Sequence, residues 1–412
     1  MTEPRISVII VSRGRPETLS LCLSALGQQY HPGFEIVVVA DAPGCAAARA
    51  HRLGSEIRIK GFETANISAA RNLGLSNAGG DIIAFIDDDA FAEPTWLAHL
   101  TAPLTDPSVA AVGGFTRGRN GISPQWQGRL IDTEAQHHPL EVSEAPWQVF
   151  DPAPGTAIRT EGANCAFRRN ALAELGGFDT AYRFFLDDAD LNMRISRAGL
   201  KTALVPMAQV VHVTAPSEQR DAQRMPRDLF EIGASAACFL GRYALDERRA
   251  SALEAIRDDQ RRKLLRHMVA GHCVPGDVAR LLERFDAGAA KGRDRPSSAN
   301  WVDTDQACFV PAPSIRPTRR HVVIGGWRTN ARRLKDTALA EEERGAIVSL
   351  MIFSASARFH RVSYQAPGIW VQTGGVWGRS IRSKPLFQNN NLQDRIRIEQ
   401  TRVEELRGIA ET

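Results

Sequence analysis

Residues Asp81–Phe91 read D-I-I-A-F-I-D-D-D-A-F, and the character of this stretch changes abruptly at Asp87. Ile82, Ile83, Ala84, Phe85 and Ile86 form an apolar run with the length and β-branched content of a buried strand. Asp87, Asp88 and Asp89 follow without a break. Inside a strand, three adjacent carboxylates would each raise the cost of ionising the others. The triplet therefore belongs at the carboxyl end of the strand, facing a crevice where a cation can neutralise it. Mg2+ and Mn2+ prefer such oxygen ligands and commonly share their shell with substrate phosphates. The stretch predicts a metal–diphosphate site on the rim of a sheet.

Towards the amino terminus, Ile6–Val11 (ISVIIV) is a second, nearly all-apolar strand, broken by Ser12-Arg13-Gly14-Arg15-Pro16. Thr18–Gln28 has helical spacing, and Phe34–Ala40 is a strand that ends at Asp41. A weaker strand is expected at Glu56–Lys60. A helix is expected over Ser68–Ala78, stopped by Gly79-Gly80. Strands alternating with helices across short loops predict a doubly wound α/β domain with a mostly parallel sheet. Ligands in such domains bind outside the carboxyl ends of the strands, which places Asp41 and Asp87–Asp89 on one edge. Ser12, Arg13 and Arg15 lie in the first strand–helix loop, where backbone N–H groups at a helix start can meet a nucleotide. For Arg13 and Arg15, plain solvated charge is an equal alternative.

Towards the carboxyl terminus, a helix after Pro94-Thr95-Trp96 leads to a strand at Ala110–Phe115. Arg117–Thr160 lacks periodicity and reads as a long excursion that could line an acceptor pocket. Gly162–Phe167 resumes regular structure, and Arg168–Leu175 is a helix. A second acidic cluster, Asp187-Asp188-Ala189-Asp190, opens a helical run to Ala198. Edge strands are expected at Thr202–Pro206 and Val210–Val213, the latter carrying His212. Leu229–Arg284 is helical and arginine-rich, forming either a solvated face or a basic surface for peripheral contact with anionic lipid. Ala287–Arg295 reads as a linker. Beyond it, strands are expected at Val322–Gly326, Ile347–Phe353 and Arg361–Trp370, a turn at Gly374-Gly375 and an amphipathic helix at Asn391–Gly408. These elements divide the chain into an α/β domain (1–220), a helical segment (221–290) and a small C-terminal α+β region (291–412).

Composition bounds the rest. A chain of 412 residues with 43% hydrophobic content has enough apolar material for a substantial core, and a net charge of +4 makes no case for a nucleic-acid partner. Met1–Arg5 runs straight into a strand, so no signal peptide is expected, and Ile232–Leu240 is too short to span a bilayer. Six scattered cysteines suit reduced thiols in a cytoplasmic protein. His137-His138 is a weak metal signal, and Trp126, Trp147, Trp370 and Trp377 are core or sugar-stacking candidates.

The ordered set S-V-I-I-V-S-R-G-R, F-E-I-V-V-V-A-D, S-A-A-R-N-L-G, F-I-D-D-D, G-G-F-D, D-D-A-D-L and V-V-H resembles family 2 of the glycosyltransferases. That family has the GT-A nucleotide-diphospho-sugar fold, and the resemblance runs from about Ile6 to Val213. It implies that Asp89 coordinates a divalent cation (Mn2+ or Mg2+), with Asp87 or Asp88 on the ribose and Asp87 also within reach of the metal. It implies His212 as a further metal ligand, Asp41 on the nucleotide base, and Arg71 and Asn72 near the diphosphate or base. Many relatives carry a second Asp where this chain has Ala40, and Asp41 could instead be a turn residue. In the second cluster the resemblance implies Asp188 as general base, with Asp187 replacing the usual Glu and able to share the role; Asp190 is expected to orient the helix or to pair with an arginine such as Arg194.

The function implied is an inverting glycosyltransferase moving a sugar from a UDP- or dTDP-sugar to a carbohydrate or lipid-linked acceptor. Synthesis of bacterial surface polysaccharide, in the cytoplasm or at the inner face of the membrane, is the expected setting. The rivals are a nucleotidyltransferase acting on sugar phosphates and a catalytically silent carbohydrate-binding scaffold on the same fold. The first would favour a lysine-bearing phosphate loop, of which S-R-G-R-P is a poor version; the second is disfavoured by two intact acidic clusters.

Overall fold

The computed structural model describes residues 4–302, 306–312, 315, 319–408 and 410–411, so the first three residues of the Met1–Arg5 lead lie outside it. In the amino-terminal half, strands β1 (Ile6–Ser12), β2 (Glu35–Ala40), β3 (Arg58–Gly61) and β4 (Ile82–Asp87) alternate with helices α1 (Pro16–Leu26), α2 (Ala42–Ala50) and α3 (Ile67–Ser76). The strands run parallel in the order β3-β2-β1-β4. Alternate residues supply two cores. Val8, Ile10, Val38, Ala84 and Ile86 pack under α1 on one face. Ile9, Val37, Val39, Ile83 and Phe85 pack under α3 on the other. Coverage on both faces is why β1, β2 and β4 are largely apolar, whereas the edge strand β3 (Arg-Ile-Lys-Gly) is partly exposed.

The chain continues through β5 (Ala90–Ala92), α4 (Trp96–Thr101) and β6 (Val109–Arg117). The expected excursion then carries short strands, β7 (Pro124–Trp126), β8 (Arg129–Asp132), β9 (His137–Pro139), β10 (Gln148–Phe150) and β11 (Thr156–Ile158). Of these, β11, β8 and β9 form a separate small sheet. Next come β12 (Asn164–Arg168), α5 (Arg169–Glu174), α6 (Asp187–Arg197) and β13 (Lys201–His212). β12 inserts antiparallel between β4 and β6, making the main sheet mixed, in the order β10-β13-β6-β12-β4-β1-β2-β3. The two edge strands expected over Thr202–Pro206 and Val210–Val213 are one strand, β13, lying inside the sheet between β10 and β6. Its register shifts between Val205 and Gln209, which accommodates Pro206 without a break.

Helices α7 (Phe230–Tyr243), α8 (Asp246–Val269) and α9 (Pro275–Gly292) follow and share an apolar core that includes Leu240, Ile256, Leu264, Leu281 and Phe285. The expected linker at Ala287–Arg295 is mostly the end of α9. Gly288 and Gly292 there are packing residues, because a side chain would collide with the Phe230 and Ala234 carbonyls of α7. On α8, Arg248 pairs with Glu134, Arg257 with Asp286 and Arg262 with Asp259.

The remaining elements are β14 (His321–Trp327), α10 (Ala331–Glu343), β15 (Ile347–Ser354), β16 (Arg361–Gln365), β17 (Ile369–Gly375), α11 (Leu392–Arg407) and β18 (Ala410–Glu411). They form a second α/β sheet, β16-β17-β15-β14-β18, in which only β16 is antiparallel. The strand expected over Arg361–Trp370 is a hairpin turning at Ala366-Pro367-Gly368, and Gly374-Gly375 ends β17 instead of forming a turn. The reversal falls at Pro367 because a proline cannot donate to a ladder. Helix α11 docks this sheet onto the first: Arg407 is fully buried, and its Nε and Nη2 meet Glu93 at 2.7 and 2.9 Å. Among the described residues no helix is long and apolar enough to cross a membrane.

Candidate active site

The acidic triplet sits where β4 runs out. Ser12, at the end of neighbouring β1, donates its hydroxyl to Asp88 Oδ2 at 2.6 Å. Arg15, in the loop before α1, places Nη2 2.6 Å from Asp88 Oδ1 and Nη1 2.7 Å from Asp89 Oδ2. Asp89 also accepts from the Ala215 N–H at 2.7 Å and faces His212 Nε2 at 3.1 Å. Thr214, in the left-handed region at φ 53°, turns the chain so that this N–H points inward. Arg220 Nη2 stands 3.5 Å from the same carboxylate.

This crowding separates the carboxylates. Burial pushes the Asp88 carboxyl well above the usual range, more than Arg15 can offset. Burial acts on Asp89 in the same sense, but the His212 hydrogen bond and the Arg15 charge outweigh it and hold Asp89 low. For His212, burial alone would lower the pKa; the contact with Asp89 raises it to about 9.

Asp87, Asp89 and His212 each offer one ligand atom, all within 4.8 Å of one another. Two carboxylates and an imidazole fit a divalent cation such as Mn2+ or Mg2+. Asp87 keeps the more open carboxylate of the triplet, while Asp88 and Asp89 are fully buried. Gln125 Nε2, 3.1 Å from His212 Nδ1, holds the far edge of the ring.

The second acidic cluster opens α6. Phe185 and Leu186, immediately before it, both adopt left-handed backbone at φ 72° and 63°. Such geometry costs about 1–3 kcal/mol per residue and persists only where packing enforces it; here Leu186 is buried in the core. The bend delivers Asp187 and Asp188 to the mouth of the same cleft. Arg71 of α3 is buried, hydrogen-bonds to Asp187 and lies 3.7 Å from Asp87 Oδ1. One guanidinium thus joins two carboxylate clusters that lie far apart in the sequence. Gly162 permits this, because a Cβ there would strike the Arg71 guanidinium. The Gly162 N–H also donates to Asp188 Oδ2 at 3.1 Å, and Arg159 Nη1 stands 2.6 Å from Asp188 Oδ1.

The remaining residues expected at the site serve varied roles. Asp41 accepts from Gly14 N at 2.7 Å and caps α2 through Gly44 N at 3.0 Å, so it ties the first loop to the second strand end. Arg13 bridges Glu218 at 3.0 Å and the Glu63 carbonyl. Both ends of the Asn72 amide are taken by the Phe178 backbone, at 2.7 and 2.9 Å. Asp190 pairs with Arg194 at 2.8 Å as expected, and also with Arg242 and the Tyr243 hydroxyl.

Arg159, Glu161, Arg220 and Gln125 escaped the sequence reading. Glu161 Oε2 is buried without a hydrogen-bond partner among the described residues, and burial raises the pKa of its carboxyl. The run T-E-G-A-N-C, a carboxylate just ahead of a strand, was the one signal available for it. The Arg129 and Arg159 guanidiniums both lie over the Trp126 ring, Trp370 is core, Trp147 is exposed, and His138 pairs with Asp132.

The chain is similar to known glycosyltransferases. A pre-mycofactocin glycosyltransferase of Mycobacterium tuberculosis is 26% identical over 214 residues, covering 50% of this chain and 42% of that protein. A glucosyl-dolichyl phosphate glucuronosyltransferase of Haloferax volcanii is 30% identical over 190 residues, covering 43% of this chain and 56% of its own. The chain spans about half the length of these relatives. A solved mannosyltransferase from Pyrobaculum calidifontis, in complex with GDP-Man and Mn2+, superposes with a TM-score of 0.42 at 19% identity, covering 71% of this chain and 88% of that one. Residues 4–230 match the family described as glycosyltransferase-like family 2. That match spans more than half of the sequence and contains both acidic clusters on a mixed GT-A-type sheet, and the chain belongs to this family.

Proposed function

We propose that the cleft transfers a sugar, with inversion, from a nucleotide diphosphate to a hydroxyl of a carbohydrate or lipid-linked acceptor. The observation that carries this reading is the convergence of Asp87 and Asp187 on Arg71, which makes one site of two clusters. A divalent cation on Asp87, Asp89 and His212 would supply charge stabilisation for the departing diphosphate. Arg15 and Arg71 add fixed positive charge from the chain itself. Asp88, held by Ser12 and Arg15, is assigned to the ribose, and Asp41 to the base of a UDP- or dTDP-sugar. Asp188 takes the proton of the attacking hydroxyl. The acceptor oxygen bonds to the anomeric carbon as the carbon–phosphate oxygen bond breaks, its electron pair leaving with the diphosphate.

The Haloferax relative is named for a dolichyl phosphate-linked substrate, which supports a lipid-linked acceptor here. A cytoplasmic enzyme working at the inner face of a membrane, in surface polysaccharide synthesis, follows from that choice. The test is a panel of nucleotide sugars in a thermal-shift assay with and without Mn2+. The correct donor at 100 times its Kd stabilises the fold by about 2.7 kcal/mol, and it does so only with metal. A panel in which no donor shifts the melting temperature in the presence of metal rejects the proposal.

A further inference from the structure

A cavity of about 1040 Å³, lined by none of the acidic-cleft residues, lies between the two α/β units. Six cations line it: Arg328, Lys335, Arg358, Arg361, Arg379 and Arg382. No carboxylate lines it, and none of the six has an ion-pair partner among the described residues. Arginines on α8 and at Glu399 meet carboxylates, whereas these six converge on one concavity without one. The Arg379 guanidinium is fixed in the wall by donating from Nη1 to the Arg382 and Lys384 carbonyls at 2.6 and 3.0 Å.

The backbone is disposed in the same sense. β14, β15 and β17 run parallel, and their carboxyl ends, Trp327, Ser354 and Gly375, point to this side. Arg328 directly follows β14, Arg358 follows β15, and Arg379 and Arg382 follow β17. The first residue of α10, Ala331, lies in the wall, so the positive end of a 13-residue helix faces the space. Carboxyl strand ends, a helix amino terminus and guanidinium forks together favour phosphate oxygens. The cavity is far larger than one phosphate, and its cations suit a ligand with at least two. Part of its wall, Asn120, Ile122 and Ser123, belongs to the loop that runs on to Gln125 and hence to His212.

We infer that this cavity is a second ligand site, for a diphosphate, built by the carboxyl-terminal unit and distinct from the donor cleft. A nucleoside and a lipid could both present that diphosphate. Titration calorimetry of the full chain with inorganic pyrophosphate, in EDTA, isolates the site from the metal-requiring cleft. The expected result is saturable, one-to-one, salt-sensitive binding, weakened at least tenfold in Arg361→Glu/Arg382→Glu and unchanged in Asp89→Asn. Arg328→Glu/Lys335→Glu, which attacks the opposite wall, gives the same answer should the first pair fail to fold.

Absence of saturable binding overturns the inference, as does binding lost in Asp89→Asn but kept in both charge-reversal pairs. Co-sedimentation with phosphatidylcholine vesicles doped with farnesyl diphosphate, abolished by the same reversals, supports the site and assigns it to a lipid. Pyrophosphate binding without co-sedimentation supports the site and assigns it to a free ligand.

Discussion

Asp187 and Asp188 are neighbours on one helical turn, yet their surroundings drive their carboxyls in opposite directions. Burial, reinforced by the Asp188 charge, raises Asp187 despite its contact with Arg71. Burial also acts on Asp188, but Arg159 outweighs it and holds the group low, hence ionised at neutral pH. At neutral pH a carboxyl raised to about 6 and one held low are both mainly ionised, so the assignment of the base to Asp188 rests on its more open place at the cleft mouth, with Asp187 buried against Arg71. Asp188→Asn should therefore lower the rate of sugar transfer by about 10²–10⁴-fold. The same variant should keep the metal-dependent thermal shift with donor, because Asp188 is assigned no donor contact; unchanged turnover removes it as the base. The acidic runs were readable because carboxylates adjacent in sequence rarely have a packing purpose. Arg159 and Glu161 were not, since nothing in a single arginine or glutamate reveals what the fold will bring beside it.

Among the elements, α11 forms where an amphipathic helix was expected, over Asn391–Gly408, and it buries three of its charged residues, Arg395, Glu399 and Arg407. Glu399 accepts from Arg395 at 3.2 Å and Arg402 at 2.8 Å. Burial would raise its pKa; Arg402, Gln372 and Ser380 outweigh burial and bring it down to about 2, from an ordinary 4.5. A depressed carboxylate contributes stability that is complete above its unfolded pKa and is lost as pH falls through its folded one. The contribution, on the order of 3 kcal/mol, should disappear between about pH 4.5 and pH 2. Thermal melts across that window should fall more steeply for the native chain than for Glu399→Gln; parallel curves contradict the account. Period and composition identify a helix, but they cannot show that its polar face meets buried partners instead of water.

Across the whole molecule, the two α/β units are locked by Glu93 and Arg407. Glu93 is fully buried and lies 3.8 Å from Arg117 in addition to its two contacts with Arg407. The Arg407 guanidinium stacks over Trp370 at 4.2 Å and donates to Ser349 at 2.9 Å. Removing one partner of a buried pair leaves the other charge uncompensated, at about 3–5 kcal/mol. Glu93→Ala should lower the denaturation midpoint accordingly and speed proteolysis around α11 before the first sheet opens. A variant that unfolds like the parent would show that the lock is redundant. The same docking creates the cationic cavity, whose walls come from segments more than two hundred residues apart.

From the amino-acid order alone came the parallel strands β1 to β4, the rim of carboxylates at Asp87–Asp89, the helix that opens at Asp187 and the family resemblance. These were accessible because each rests on local physics: apolar runs that must be covered on both faces, and like charges that must find an edge. Folding alone decided that Arg71 would bind both acidic clusters, that the segment around Gly288 would pack as a helix, and that the strands beyond His321 would join in a second, mostly parallel sheet. Those outcomes depend on which surfaces meet, and the free energy of burying a charge or a glycine against a partner is absent from the sequence until the partner arrives.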